Sequence, residues 1–218
     1  MFTTSYGTVE RALWHAYNVP EAARASFRAR LGHLQKAGLF GSEKRPGRGK
    51  TLLYDPDMVH RLEFYCELAE FGVSPAEVLD LVNKAWDRTI CKIFDKAEWT
   101  LIHCEPGPDD VVMHMGGVHM LADGWANTVP NVNWCPLREL PRYIQMWMEM
   151  KPDESANLPP RAMIVNLSAR LRTFHRAFAD SHMRALAGEQ EATVATDSRR
   201  PDRRTAGRIA RKGARKRK

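Results

Sequence analysis

The 218-residue sequence contains no apolar run approaching the roughly 20 residues that cross a bilayer, so no membrane partner is expected. Its opening, MFTTSYGTVE, has neither the basic start nor the apolar centre of a secretory leader, which points to a cytoplasmic protein. Cysteine is sparse: Cys66, Cys91, Cys104 and Cys135 show no CxxC spacing, which argues against a disulfide framework or a structural zinc module. A Gly-rich phosphate loop, a paired-carboxylate motif and a nucleophile elbow are also missing, so the chain is read as no enzyme and no cofactor is assigned. His103, Cys104, His114 and His119 invite a zinc reading. Their spacing matches no known site, and strand alternation would put His103 and Cys104 on opposite faces, so they are taken as structural and no metal is assigned.

What the sequence does have is positive charge, and the charge is segregated. Residues 199–218 hold eleven Lys or Arg against Asp202 alone, and residues 24–50 hold eight against Glu43 alone. Residues 51–198 hold thirteen against twenty-two Asp or Glu. A face that meets a polyanion, plus a basic tail on an acidic body, would produce this division.

The apolar periodicity predicts a helix over Val9–Asn18, capped by Thr8, with Val9, Leu13 and Ala16 inward. Pro20 opens a second helix running to about Ala37, with Phe27, Leu31 and Leu34 as its buried stripe. Gly38 stops it, and Leu39-Phe40 fold back against it. The turn-forming Pro46-Gly47-Arg48-Gly49 then marks a basic hairpin whose second arm is Lys50–Tyr54. Asp55-Pro56 starts a third helix ending at Gly72, and the capping box Ser74-Pro75-Ala76-Glu77 starts a fourth running through Trp86. From Thr89, the β-branched and aromatic segments Ile90–Phe94, Glu98–Cys104, Asp110–Met115 and Val118–Leu121 read as a small antiparallel sheet. Residues 122–137 read as irregular, Leu140–Met150 as a Met- and Trp-rich helix, Lys151–Pro160 as a linker and Ile164–Ala187 as a long helix. Asp109 and Asp110 read as ordinary turn formers.

Helix, turn, helix ending in Gly-Leu, basic hairpin, then two helices: over Phe27–Tyr54 this resembles the recognition helix and wing of winged-helix regulators. The stretch Asp55–Val82, with Phe71-Gly72-Val73 before Ser74-Pro75-Ala76-Glu77-Val78, resembles the pair of helices after the wing in the MerR type. The resemblance covers about residues 8–86, and the segment from Val19 to Gly38 is longer than its counterpart in that family. It implies a DNA-binding protein that enters the major groove with its second helix. Arg24, Arg28, Arg30, His33 and Lys36 are the candidates on that helix. Lys44, Arg45, Arg48, Lys50 and Tyr54 are the candidates on the wing, where arginine suits the backbone or the minor groove. The reading requires Arg24 to Lys36 and the loop around Arg48 to share one surface. The alternative is that these arginines only solvate a surface helix.

The expected fold class is therefore α+β, mainly α. It comprises a winged helix-turn-helix over residues 1–86, a small α+β sensing or dimerisation region over 87–188 and a disordered basic tail over 189–218. The tail would add sequence-independent, salt-dependent affinity. Trp134, Tyr143, Met146, Trp147, Met148 and Met150 form either an effector pocket or, as the better reading, core packing. The seam Leu167, Leu171, Phe174 and Phe178 serves either a homodimer or packing on its own chain. The expected function is transcription regulation on double-stranded DNA, with a homodimer possible and any small-molecule effector unknown. The alternative is an accessory protein of replication, recombination or nucleoid organisation without regulatory specificity.

Overall fold

Helix α1 (Tyr6–Ala16) begins where the Ser5 hydroxyl accepts a hydrogen bond from the Thr8 amide, so its cap lies three residues before the one expected at Thr8. The computed structural model describes residues 4–40, 53–116, 131–149 and 162–198, with α7 side chains described as far as Arg184. The chain divides into two units, Met1–Phe178 and Ala179–Lys218.

Asn18 ends the first turn region with φ 48°, a left-handed value that asparagine tolerates. A short 3-10 turn, Glu21–Ala23, comes after Pro20 and leads into α2 (Arg24–Ala37). The core face of α2 is the expected one, with Phe27, Leu31 and Leu34 buried. Gly38 closes the helix at φ 102°, the Leu39 amide reaches back to the Leu34 carbonyl at 3.1 Å, and Leu39 and Phe40 are buried.

Strand β1 (Thr4–Ser5) pairs antiparallel with β2 (Leu53–Tyr54), Thr4 opposite Tyr54. The rest of the expected hairpin, residues 41–52, lies outside the described residues. Asp55 caps α3 (Pro56–Glu70) by accepting from the Met58 amide at 2.9 Å, with proline at the first helical position. Ser74 and Glu77 close both halves of the capping box that opens α4 (Pro75–Ala85).

Beyond residue 85 the structure departs from the sequence reading in four places. Trp86–Ile90 form a π-helical turn that runs directly into α5 (Cys91–His103), so Ile90–Phe94 and Glu98–His103 are helical, not strands, and Cys104 follows the helix as its extended cap. Ile90, Ile93, Phe94 and Ala97 are buried on one side, a helical spacing that outweighs their β-branched and aromatic character. The sheet is instead β3 (Val111–Gly116), where a strand was expected, flanked by β4 (Asn131–Pro136), read as irregular, and β5 (Ala162–Asn166). Strand order is β4-β3-β5, all antiparallel, with Met113 opposite both Trp134 and Val165. The segment Val118–Leu121 and the linker Lys151–Pro160 lie outside the described residues.

The 3-10 turn Leu137–Glu139 precedes α6 (Leu140–Glu149). Ile164 belongs to β5, and the long helix starts only at Leu167, where the Asn166 side chain caps it by accepting from the Ala169 amide at 2.9 Å. This α7 (Leu167–Ser198) continues ten residues past Gly188 into a stretch expected to be disordered; Glu189, Gln190, Glu191 and Ala192 are all good helix formers. Residues 199–218 lie outside the described residues.

One hydrophobic cluster runs from Val9 through Leu31, Leu62, Trp86 and Phe94 to Met113, Val165 and Leu171. Positions on both sides of residue 86, assigned to separate regions from sequence, contribute to it. Leu167, Leu171 and Phe174 of the α7 seam are buried in this cluster, which is the packing on their own chain that the sequence allowed.

Candidate nucleic-acid interface

Helix α2 carries Arg24, Arg28, Arg30 and Lys36, together with His33 and no acidic residue. At about 100° per residue, Arg28 and Arg30 stand about 200° apart around the axis. The direction opposite the buried Phe27, Leu31 and Leu34 lies between them. It is occupied by Ala25, Ala29 and Lys36, all exposed, with exposed His33 beside them. The expected common surface is therefore divided into a small-residue outer strip carrying Lys36 and His33, and two arginine flanks.

The two flanks are held differently. On the α1 side, the Arg28 Nε donates to Glu10 Oε1 at 2.5 Å, and the Arg24 and Arg28 guanidinium groups lie 5.0 and 5.5 Å from the centre of the Trp14 ring. Arg24 is half-buried, and its Nε has no hydrogen-bond partner. Arg30, on the other flank, is exposed. Sequence reasoning missed Glu10. The signal was a carboxylate within the Tyr6-Glu10-Leu13-Tyr17 row of an otherwise apolar helix face.

Tyr54 is not a surface contact. It is buried at 1% exposure, its ring 5.8 Å from Tyr6 and 5.6 Å from Phe40. Burial is the main influence raising its hydroxyl well above the ordinary tyrosine range. A tyrosine closing a basic arm reads as a DNA contact, but here its apolar ring is the β2 contribution to the core. Phe40 and Tyr54 thereby bring together the two ends of the stretch 41–52. Lys44, Arg45, Arg48 and Lys50 belong to that stretch and lie outside the described residues.

A second polar cluster joins α1, α3, α5 and α7. Glu98 Oε1 accepts from the Nε2 atoms of His60 at 3.1 Å and His175 at 2.7 Å. Burial alone would push the Glu98 carboxyl up, but the hydrogen bonds from His175 and His60 hold it down at about 2. Glu63, buried with an unpartnered Oε2, is driven well above the usual carboxylate range by desolvation, then by the charges of Glu98 and Glu67. Glu67 accepts from the Tyr17 hydroxyl at 2.7 Å and pairs with Arg170 at 3.0 Å.

Elsewhere, Asp110 is more than a turn former. It is buried and accepts hydrogen bonds from the Gly107 amide, Asn166 and Arg172, which ties the start of β3 to α7. Asp109 pairs with Arg138. His103 ends α5 with its ring stacked on Trp99, and His114 is buried on β3 beneath Tyr143. Among the described residues, no three His, Cys, Asp or Glu side chains are arranged to hold a metal ion. His119 lies outside them.

The Met and Trp cluster is not packed as expected. Trp134 and Met146 are exposed at 38% and 48%, as is Ile144. Leu137, Leu140, Pro141 and Ile144, with Gln145 and Glu149, line an open groove of about 550 Å³ along α6. The side chains of Trp147, Met148 and Met150 lie outside the described residues. Among the described residues, no helix is long and apolar enough to cross a membrane.

Comparison of the chain with protein-family models, with curated proteins and with solved structures returns no match.

Proposed function

We propose that the chain is a DNA-binding transcription regulator of the winged-helix kind, nearest to the MerR type, and that α2 is the helix that enters the major groove. The arginines of α2 do not share the one surface that the sequence reading required, so the observation that carries this proposal is narrower: the outer strip of α2 and the flanks beside it. This helix is fourteen residues long with no acid, its outer strip small enough in Ala25 and Ala29 for close approach, with basic residues on that strip and on both flanks. A major groove is wide enough for one such helix, and its edges offer acceptors to Lys36 and His33 while the strands on either side offer phosphates to arginine. Supporting it, the order β1-α1-α2-β2-α3-α4 agrees with the resemblance, and the basic stretch 41–52 begins just beyond α2. Its Lys44, Arg45, Arg48 and Lys50 face only Glu43 in charge.

The test is genome-wide mapping of bound sites for the full chain and for a His33→Ala, Lys36→Ala variant. A defined motif that blurs or shifts in the variant is the expected result. Binding that is the same for every duplex sequence would overturn regulation by sequence.

The accessory nucleic-acid reading is favoured by one observation, the eleven Lys or Arg against one acid in residues 199–218. Deleting that tail separates the two. A regulator keeps its motif and loses salt-sensitive affinity, whereas a tail-driven binder loses most of its affinity.

A further inference from the structure

Glu10 and Arg28 form an unequal pair. The Glu10 side chain is 2% exposed on α1, while that of Arg28, on α2, is 60% exposed. Only Nε of the guanidinium is engaged by the carboxylate, at 2.5 Å. The two Nη nitrogens take no hydrogen bond to Glu10, and such a pair forms an edge that matches two phosphate oxygens. The Trp14 ring, one turn along α1 from Glu10, supports the same guanidinium from below.

Arg24 adds a second guanidinium over the same ring, one helical turn before Arg28, and its Nε is unpartnered. Like charges at this spacing repel, and the first turn of α2, already the positive end of a helix dipole, holds no acid. Glu21 lies in the preceding 3-10 turn and is exposed. Glu10 is the one carboxylate paired with either arginine among the described residues, so this flank keeps surplus positive charge.

We propose that Glu10 is a positioning residue that presents the Nη edge of Arg28 to the phosphate backbone of duplex DNA. Arg28 then contacts the strand at the α1 side of α2 and reads no base. The proposal rests on the reading of the chain as a DNA-binding protein. A surface arginine normally loses rotamer freedom when it meets a phosphate, whereas one already tethered at Nε has lost much of it in the free protein.

The experiment is fluorescence anisotropy of the full chain on a short mixed-sequence duplex across a salt series, with melting temperatures recorded for every variant. Arg28→Ala and Arg28→Lys are both expected to weaken binding about tenfold, and Arg28→Ala to reduce the salt slope by about one phosphate contact. Glu10→Gln removes a negative charge, so net charge alone dictates tighter binding; positioning dictates weaker binding, and that is the result expected. Glu10→Asp keeps the charge but withdraws the acceptor, and an intermediate loss is expected. Arg28→Lys binding like the parent, or Glu10→Gln binding more tightly, overturns the proposal while leaving DNA binding intact. A parent chain that binds no duplex at low salt overturns both.

Discussion

Glu98 and Glu63 are close enough for each charge to act on the other, yet acid works on them in opposite senses. Glu98 is held at about 2 in the folded chain, so its contribution is complete above its unfolded value near 4.5 and disappears as the pH falls from there toward 2. Glu63 is raised, so folding keeps a proton that the unfolded chain releases, and stability declines as the pH rises above about 4.5. Denaturant titrations across pH should therefore show greatest stability in mild acid. Glu98→Gln should flatten the acid limb. Glu63→Gln should flatten the other limb and match or exceed the parent at pH 7; a Glu63→Gln chain that is weaker at pH 7 than at pH 4 by the parental margin would contradict this assignment. Tyr54 makes a complementary case. Tyr54→Phe should leave stability and, on the proposed function, DNA affinity close to the parent, because the ring is what is buried. Tyr54→Ala should cost about 3–5 kcal/mol in a urea melt. Neither Glu63 nor Tyr54 was legible from sequence, since burial of a polar residue depends on partners that arrive from distant segments: Glu98 for the one, Tyr6 and Phe40 for the other.

Helix ends were the most legible elements, because a cap is settled within four or five residues. Asp55-Pro56, Ser74-Pro75 and Gly38 all stand where local chemistry put them. Ser74→Ala should cost about 1 kcal/mol, read as a lowered urea midpoint without a changed slope. Gly38→Ala should cost about as much, because alanine at φ 102° is strained even though no atom lies within 4 Å of the added methyl. Strand and helix were confused where composition and spacing disagreed. Cys91–His103 is rich in strand-favouring residues but buries Ile93, Phe94, Ala97 and Thr100 at helical intervals. Ile164 continues the apolar rhythm of α7, and only its pairing opposite His114 makes it strand. Non-local pairing of this kind leaves no mark in a window of a dozen residues. On α2, the apolar stripe was readable, but the partition of its arginines was not, because Glu10 and Trp14 come from another helix.

Across the unit Met1–Phe178, the continuous hydrophobic cluster makes the α2 surface dependent on packing far along the chain. Leu171, fully buried, tests this: Leu171→Ala should cost about 2–5 kcal/mol, and helical signal and, on the proposed function, DNA affinity should then be lost in one coincident thermal transition. Two transitions, with DNA binding surviving the first, would show that residues before position 86 fold alone. Residues 75–103 meanwhile form an unbroken helical path, α4, the π turn Trp86–Ile90 and α5, anchored midway where the Trp86 Nε1 donates to Asp57 at 2.6 Å. A π turn accommodates one residue more than an α-helix would over the same path, and so sets the rotational phase of everything after it. Winding all of these residues into a regular α-helix would swing Ile93, Phe94 and Ala97 by about 100° out of the interior, whereas excising Thr89 would restore a regular ladder and leave them facing inward. The irregular turn is thus an angular gear that keeps the apolar faces of the two helices aligned despite one residue in excess, and a chain lacking Thr89 should keep close to the parental stability in a urea melt.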